Sequence, residues 1–74
     1  MRDNDSERNT RQQTITITLD EVDDRTRAIA QMDWHDLKLV GIGRTRPGEE
    51  FPTRAAERLS VTRALSDLVA RLNT

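Results

Sequence analysis

The chain has 74 residues with 12 basic and 13 acidic side chains, a formal net charge of −1, one histidine and no cysteine. This length allows one small domain, and the lack of cysteine excludes disulfide bonds and thiolate metal sites. The near-zero net charge provides no overall field toward nucleic acid or membranes. The sequence shows neither a signal-peptide pattern nor an apolar run of spanning length, so we expect a cytoplasmic protein.

The first segment, residues 1–12, is rich in charged and amide side chains and has almost no apolar ones. Such a segment cannot bury enough surface to offset the entropy that ordering removes. We therefore expect residues 1–12 to be a disordered arm and residues 13–74 to form a single domain.

Three strand-like segments follow. Residues 14–19 alternate strictly, which predicts a strand with Ile15, Ile17 and Leu19 facing a core. Residues 26–34 fit a strand or a helix because they contain alanine, and the short polar connections on both sides favour a strand. Residues 37–46 form a third strand in which two glycines share one face, a pattern typical of close approach by another element.

A helix is predicted after a loop that carries a Pro-Gly turn signal. Thr53 is placed to cap this helix, and Phe51 is expected to hold the loop on the core. One apolar stripe recurs at helical spacing: Val61, Leu65, Leu68 and Leu72. The fold class is therefore α+β, a three-stranded antiparallel meander followed by one C-terminal amphipathic helix.

The small size of this domain predicts a partner subunit. About sixty residues bury a small core, and the sequence has no disulfide or evident metal site to supplement it. One helix covers one sheet face, and strand alternation assigns Ile29, Leu37 and Leu39 to the other. These apolar side chains and the free sheet edges predict a homodimer, formed through the sheet or by exchange of elements.

The sequence offers little for catalysis. The only cluster with a histidine, residues 33–36, lacks an orienting partner for His35 and is better explained as a turn with Trp34 against the core. The acidic residues between 20 and 24 lack the spacing of a calcium loop. We therefore expect no enzyme activity, cofactor, metal site or small-molecule substrate.

Four arginines surround one loop and the helix start: Arg44, Arg46, Arg54 and Arg58. Because a guanidinium binds phosphate through paired hydrogen bonds, these residues are candidate contacts for phosphate or RNA. The alternative is a surface of exposed ion pairs with three neighbouring glutamates: Glu49, Glu50 and Glu57.

Three segments resemble a family of short actinobacterial proteins: DRTRA at residues 24–28, LVGIGR at 39–44 and VTRALSDL at 61–68. That family is a domain of unknown function with a fold like that of double-stranded-RNA-binding domains. The resemblance implies a β-β-β-α fold, dimers, an association with dormancy or stress, and a topology like part of ribosome hibernation factors.

Two functions remain open. The first is a non-catalytic, homodimeric, stress- or dormancy-associated regulatory protein that binds the ribosome or RNA. The second is a protein-interaction module that uses the open sheet face or edge, because the first helix and the lysine cluster of double-stranded-RNA-binding domains are missing from this sequence.

Overall fold

The computed structural model of the protein describes residues 9–74. Its elements are β1 (Thr16–Val22), β2 (Arg25–Trp34), β3 (Leu37–Arg44) and α1 (Thr53–Leu72). The strands form one antiparallel sheet in the order β1-β2-β3, and α1 packs against β3 and β2. This arrangement confirms the predicted β-β-β-α fold. Of the expected arm, residues 1–8 lie outside the described residues, and residues 9–12 are exposed and outside any helix or strand.

Both hairpins turn over two residues. Asp23 and Asp24 have positive φ angles of 55° and 63°, as a type I′ turn requires. Short polar side chains tolerate this left-handed backbone, so β1 continues to Val22, beyond its predicted end at residue 19. The second turn is at His35 and Asp36, where it was expected, and His35 has a φ of 57°.

The helix backbone lies directly on β3. A Cβ added to Gly43 would lie 2.3 Å from the carbonyl oxygen of Ser60, and one added to Gly41 would lie 2.4 Å from that of Ala64. The predicted close approach at the two glycines is therefore confirmed, and its cause is the missing side chains. The buried line of the helix consists of residues four apart, most of them small: Ala56, Ser60, Ala64 and Leu68.

This contact corrects the predicted helix stripe. Of its four members only Leu68 is buried, while Val61 and Leu65 are partly buried at the flank of the core and Leu72 is exposed. Large side chains cannot lie beneath a helix that touches strand backbone, so alanine and serine occupy that line instead.

The register also corrects the predicted sheet faces. Ile29 lies opposite Ile42, whereas Leu39 lies opposite the buried Met32 and Leu37 lies opposite Trp34. Leu37 and Leu39 are therefore on the helix side of the sheet and do not share a face with Ile29. The two faces of β3 are assigned the other way round from the prediction, because the glycines of β3 face the helix and a shift of one residue exchanges the faces of a strand. A role for any of the three in a dimer interface stays a prediction.

Three smaller expectations at the loops were wrong. Pro52 occupies the N-cap position, no side chain caps the helix, and Thr53 is its first residue. Phe51 is 48% exposed and does not hold the loop on the core. Trp34 is also exposed, with its ring edge-on to His35 at a centroid distance of 4.9 Å.

Candidate functional site

Helix side chains close the outer edge of β3. The carboxylate of Asp67 accepts the backbone N–H of Ile42 at 2.9 Å. The guanidinium of Arg63 donates to the backbone carbonyl of Arg44 at 3.0 Å. Because these backbone groups are already bonded, this stretch of β3 is a poor template for a further strand.

The same arginine connects the helix to the loop before it. Arg63 donates to both carboxylate oxygens of Glu49, at 2.7 and 2.9 Å, and the backbone N–H of Arg46 donates to Glu49 at 2.6 Å. The Arg63 guanidinium first, and then the Arg46 N–H, lower the pKa of Glu49 to about 2. Glu49 therefore serves the internal structure of the domain. It is not a surface partner for the guanidinium groups of the four predicted arginines.

The outer edge of β1 is different. Residues that flank a two-residue hairpin turn form a hydrogen-bonded pair, so alternate residues of β1 direct their backbone groups away from β2. From the pair of Val22 and Arg25, these outward residues are Ile17, Leu19 and Glu21. Within residues 9–74 no other strand pairs with this edge.

Exposed apolar side chains lie along that outer edge of β1. Ile17 and Leu19 lie opposite Ala30 and Ala28, which places them on the helix side of the sheet. The helix does not cover them: Ile17 is 36% exposed and Leu19 is 41% exposed, and Ile15 just before the strand is 44% exposed. The predicted direction is therefore correct for Ile17 and Leu19, whereas the predicted burial is wrong for all three.

The flank of the helix continues this apolar surface. Val61 and Leu65 follow Ser60 and Ala64 by one residue, which places them about 100° around the helix on one side of the buried line. Arg63 and Asp67 lie on the other side, over the β3 edge. Val61 and Leu65 therefore face β1. We call the combined surface the β1 apolar edge: Ile15, Ile17, Leu19, Val61 and Leu65.

The four predicted arginines do not form one patch. Arg44 lies opposite Arg27 on the sheet face away from the helix. Arg54 and Arg58 are each two residues from the buried line, so they project from the far side of the helix. The sheet thus separates Arg44 from these two, and Arg46 lies in the loop between them. Their contact with phosphate or RNA stays a prediction.

The structure instead gathers a different set of arginines. Arg25, Arg27 and Arg44 line a concavity of about 60 Å³ at one end of the open sheet face, together with Val22 and Asp23. Sequence reasoning missed Arg25 and Arg27 because their proximity to Arg44 depends on the register between β2 and β3. The signal was present as the alternation of Arg25 and Arg27, which places both on one strand face.

The sequence predicts neither a metal site nor a membrane-spanning segment. Within residues 9–74 no group of three or more histidine, cysteine or acidic side chains is arranged to hold a metal ion. In the same range no helix has the length and apolar character needed to cross a membrane.

Comparison with known proteins places the chain among mycobacterial relatives. It is 41% identical over 61 residues to the uncharacterized protein Mb1767 of Mycobacterium bovis, covering 80% of this chain and 65% of that protein. It is 38% identical over 60 residues to the uncharacterized protein Rv2632c of Mycobacterium tuberculosis, covering 78% of this chain and 64% of that protein. The chain therefore spans slightly less than two thirds of the length of these relatives.

The fold and a family model agree with these relatives. The crystal structure of Rv2632c matches with a TM-score of 0.79 and 36% identity, over 90% of this chain and 82% of that one. The expectation of an actinobacterial family of unknown function is confirmed, while the link to double-stranded-RNA-binding domains stays a prediction. A model of Rv2632c-like proteins matches residues 11–73, and the chain belongs to the Rv2632c-like family.

Proposed function

We propose that this protein is a non-catalytic homodimer that binds RNA, with the ribosome as its target. One observation supports the dimer above all others: the β1 edge, which no other strand within residues 9–74 pairs, carries a row of exposed apolar side chains. Two β1 strands pairing antiparallel about a two-fold axis would make a six-stranded sheet with both helices on one face. The two β1 apolar edges would then cover each other.

The composition of the core supports the same proposal. The buried apolar residues of the described chain are four alanines, one methionine and one leucine: Ala28, Ala30, Met32, Ala56, Ala64 and Leu68. Alanine contributes little apolar area, and burial stabilises by about 25 cal/mol per Å². Covering the β1 apolar edge would add isoleucine, leucine and valine side chains to this core.

Light scattering on the purified protein at micromolar concentration tests the dimer. We expect twice the chain mass of 8.5 kDa. The double variant Ile17→Lys, Leu19→Lys should be monomeric, because it places charge in the contact. The matched control Thr16→Lys, Thr18→Lys changes the opposite face of β1 and should remain dimeric. A monomeric wild type would overturn the dimer.

RNA binding is supported by exposed arginine side chains on two surfaces of the domain. Among residues 9–74 no ion pair involves Arg25, Arg44, Arg54 or Arg58. A dimer would present each surface twice, which raises avidity for an extended polyanion. A regulatory role in dormancy or stress, in the cytoplasm, is part of the same proposal.

Co-sedimentation with ribosomes at increasing salt tests this binding. Contacts with phosphate release counterions, so binding should weaken steeply as salt rises. Replacing Arg46, Arg54 and Arg58 with alanine should reduce co-sedimentation if the loop and helix surface takes part. No co-sedimentation of the wild type at low salt would remove the ribosome as target.

A protein-interaction module is the second candidate. The centre of the open sheet face carries Ile29, Val40 and Ile42, none of them fully buried. An apolar patch of this kind suits a protein partner. A pull-down that survives nuclease and high salt, and that Ile29→Lys with Ile42→Lys abolishes, would favour this candidate over RNA.

A further inference from the structure

We propose that Arg25, Arg27 and Arg44 form a phosphate-binding site on the sheet face opposite the helix. The register places Arg27 of β2 directly across from Arg44 of β3, and Arg25 lies two residues along β2 on the same face. The three side chains line one concavity beside the β1–β2 turn. We call them the open-face arginine site.

The charge of this cluster is only partly compensated. Like charges directly opposite each other on neighbouring strands are destabilising. Arg27 is paired, because its Nε and Nη2 donate to the two carboxylate oxygens of Asp20 at 2.9 and 2.5 Å. Within residues 9–74, Arg25 and Arg44 have no such ion-pair partner. An anion between them would relieve the repulsion that the register imposes.

The pairing with Asp20 also fixes the position of Arg27. Two parallel hydrogen bonds hold its guanidinium in one orientation, so less conformational entropy is lost when a ligand binds beside it. The tight turn after β1 supplies the wall of the concavity through Val22 and Asp23. The site is thus built from a two-residue hairpin turn and one oriented arginine, with Arg25 and Arg44 beside it, neither of which has an ion-pair partner among the described residues.

The ligand class follows from size and chemistry. The concavity holds about 60 Å³, whereas roughly 10–15 Å³ of such space already accommodates a water molecule. A single tetrahedral oxyanion fits this scale, and guanidinium groups match the paired oxygens of phosphate. Asp23 also lines the concavity and repels an anion, so its carboxylate limits the affinity.

The phosphate can belong to a free phosphorylated molecule or to an RNA backbone. The RNA source rests on the proposed function, whereas the site itself does not. The protein is therefore titrated separately with inorganic phosphate, pyrophosphate and a short single-stranded RNA. Binding is measured by calorimetry and by the chemical shifts of the arginine side chains.

The test compares two variants that remove equal charge. Arg25→Gln with Arg44→Gln should weaken pyrophosphate binding at least tenfold. Arg11→Gln with Lys38→Gln, at the end of the sheet away from the β1–β2 turn, should leave it within about twofold of wild type, since phosphate contact is local. Asp23→Asn, which keeps a side chain that tolerates positive φ, should tighten binding several-fold.

The outcomes separate the site from the RNA proposal. Equal weakening by the two double variants, or no binding of any phosphate by the wild type, overturns the site. Pyrophosphate binding without RNA binding supports the site and removes RNA as target. Loss of both ligands in the first variant alone, with its circular dichroism unchanged, supports the site and assigns the RNA contact to it.

Discussion

The carboxylate of Asp67 on the helix accepts the backbone N–H of Ile42 on β3 at 2.9 Å. This bond, with the one from Arg63 to the Arg44 carbonyl, engages two outward backbone groups near the end of β3. The outer edge of β1 has no equivalent cover within residues 9–74. The sheet therefore has one edge that is closed near Ile42 and Arg44 and one open edge, and this asymmetry supports the proposal of a dimer through β1.

Removing the Asp67 carboxylate should open the closed edge. In Asp67→Ala the N–H of Ile42 loses its partner and can pair with a strand of another molecule. We expect species larger than those of the wild type, growing with concentration in light scattering. Asp67→Asn keeps an acceptor oxygen and should behave like the wild type. Identical mass distributions for Asp67→Ala and wild type would show that the bond does not protect this edge.

Glu49 should make the free energy of unfolding depend on pH in the acidic range. Its pKa falls from the usual 4.5 to about 2 in the folded protein, so its contribution is complete above pH 4.5 and is lost as pH falls toward 2. Urea unfolding of wild type and Glu49→Gln should differ at pH 6 and converge near pH 2. Glu50→Gln, a charge change in the same loop, should show no such convergence. A constant difference across this range would exclude the linkage.

Gly43 should be intolerant of any side chain. Alanine there would bring a Cβ to 2.3 Å from helix backbone, and displacing the helix costs about 1–3 kcal/mol or more. The comparison is Gly48→Asn: this glycine has φ of 87° with open space around it, and asparagine accepts such a backbone. Denaturant unfolding should show a large loss of unfolding free energy for Gly43→Ala and little for Gly48→Asn.

Ser60 should contribute to the stability of the fold through one buried hydrogen bond. Its hydroxyl, fully buried, donates to the carbonyl of Thr26 at 3.1 Å, and this carbonyl also accepts the N–H of Thr45. Ser60→Ala should lower the free energy of unfolding by about 0.5–1.5 kcal/mol, because the carbonyl keeps its second partner. Ser66→Ala on the exposed side of the same helix is the control and should not destabilise. If Ser60→Ala left the free energy of unfolding unchanged, the hydrogen bond would make no net contribution to stability.

Local signals predicted the elements well. Strict alternation before residue 20, the Pro-Gly turn and the helical spacing after residue 53 each act over a few neighbouring residues. The close approach at Gly41 and Gly43 was also predictable, because strand glycines with no side chain leave room for another backbone. The prediction of β2 was correct although its alanines fit a strand or a helix, because the short connections on both sides favour a strand.

The candidate sites were less predictable because they depend on how elements meet. Strand alternation divides residues into two faces but does not say which face meets the helix, and that choice moved Leu37 and Leu39 away from Ile29. The separation of Arg44 from Arg58 has the same origin.

The sequence by itself determined the order and type of the elements, since backbone preference and side-chain period are local properties. Only the tertiary structure decided the register that assembles Arg25, Arg27 and Arg44, and the helix position that leaves β1 uncovered. The register follows from the two-residue turn at His35 and Asp36. The helix position follows from contact between helix backbone and the glycines of β3, residues far apart in the chain, whose packing no local pattern specifies.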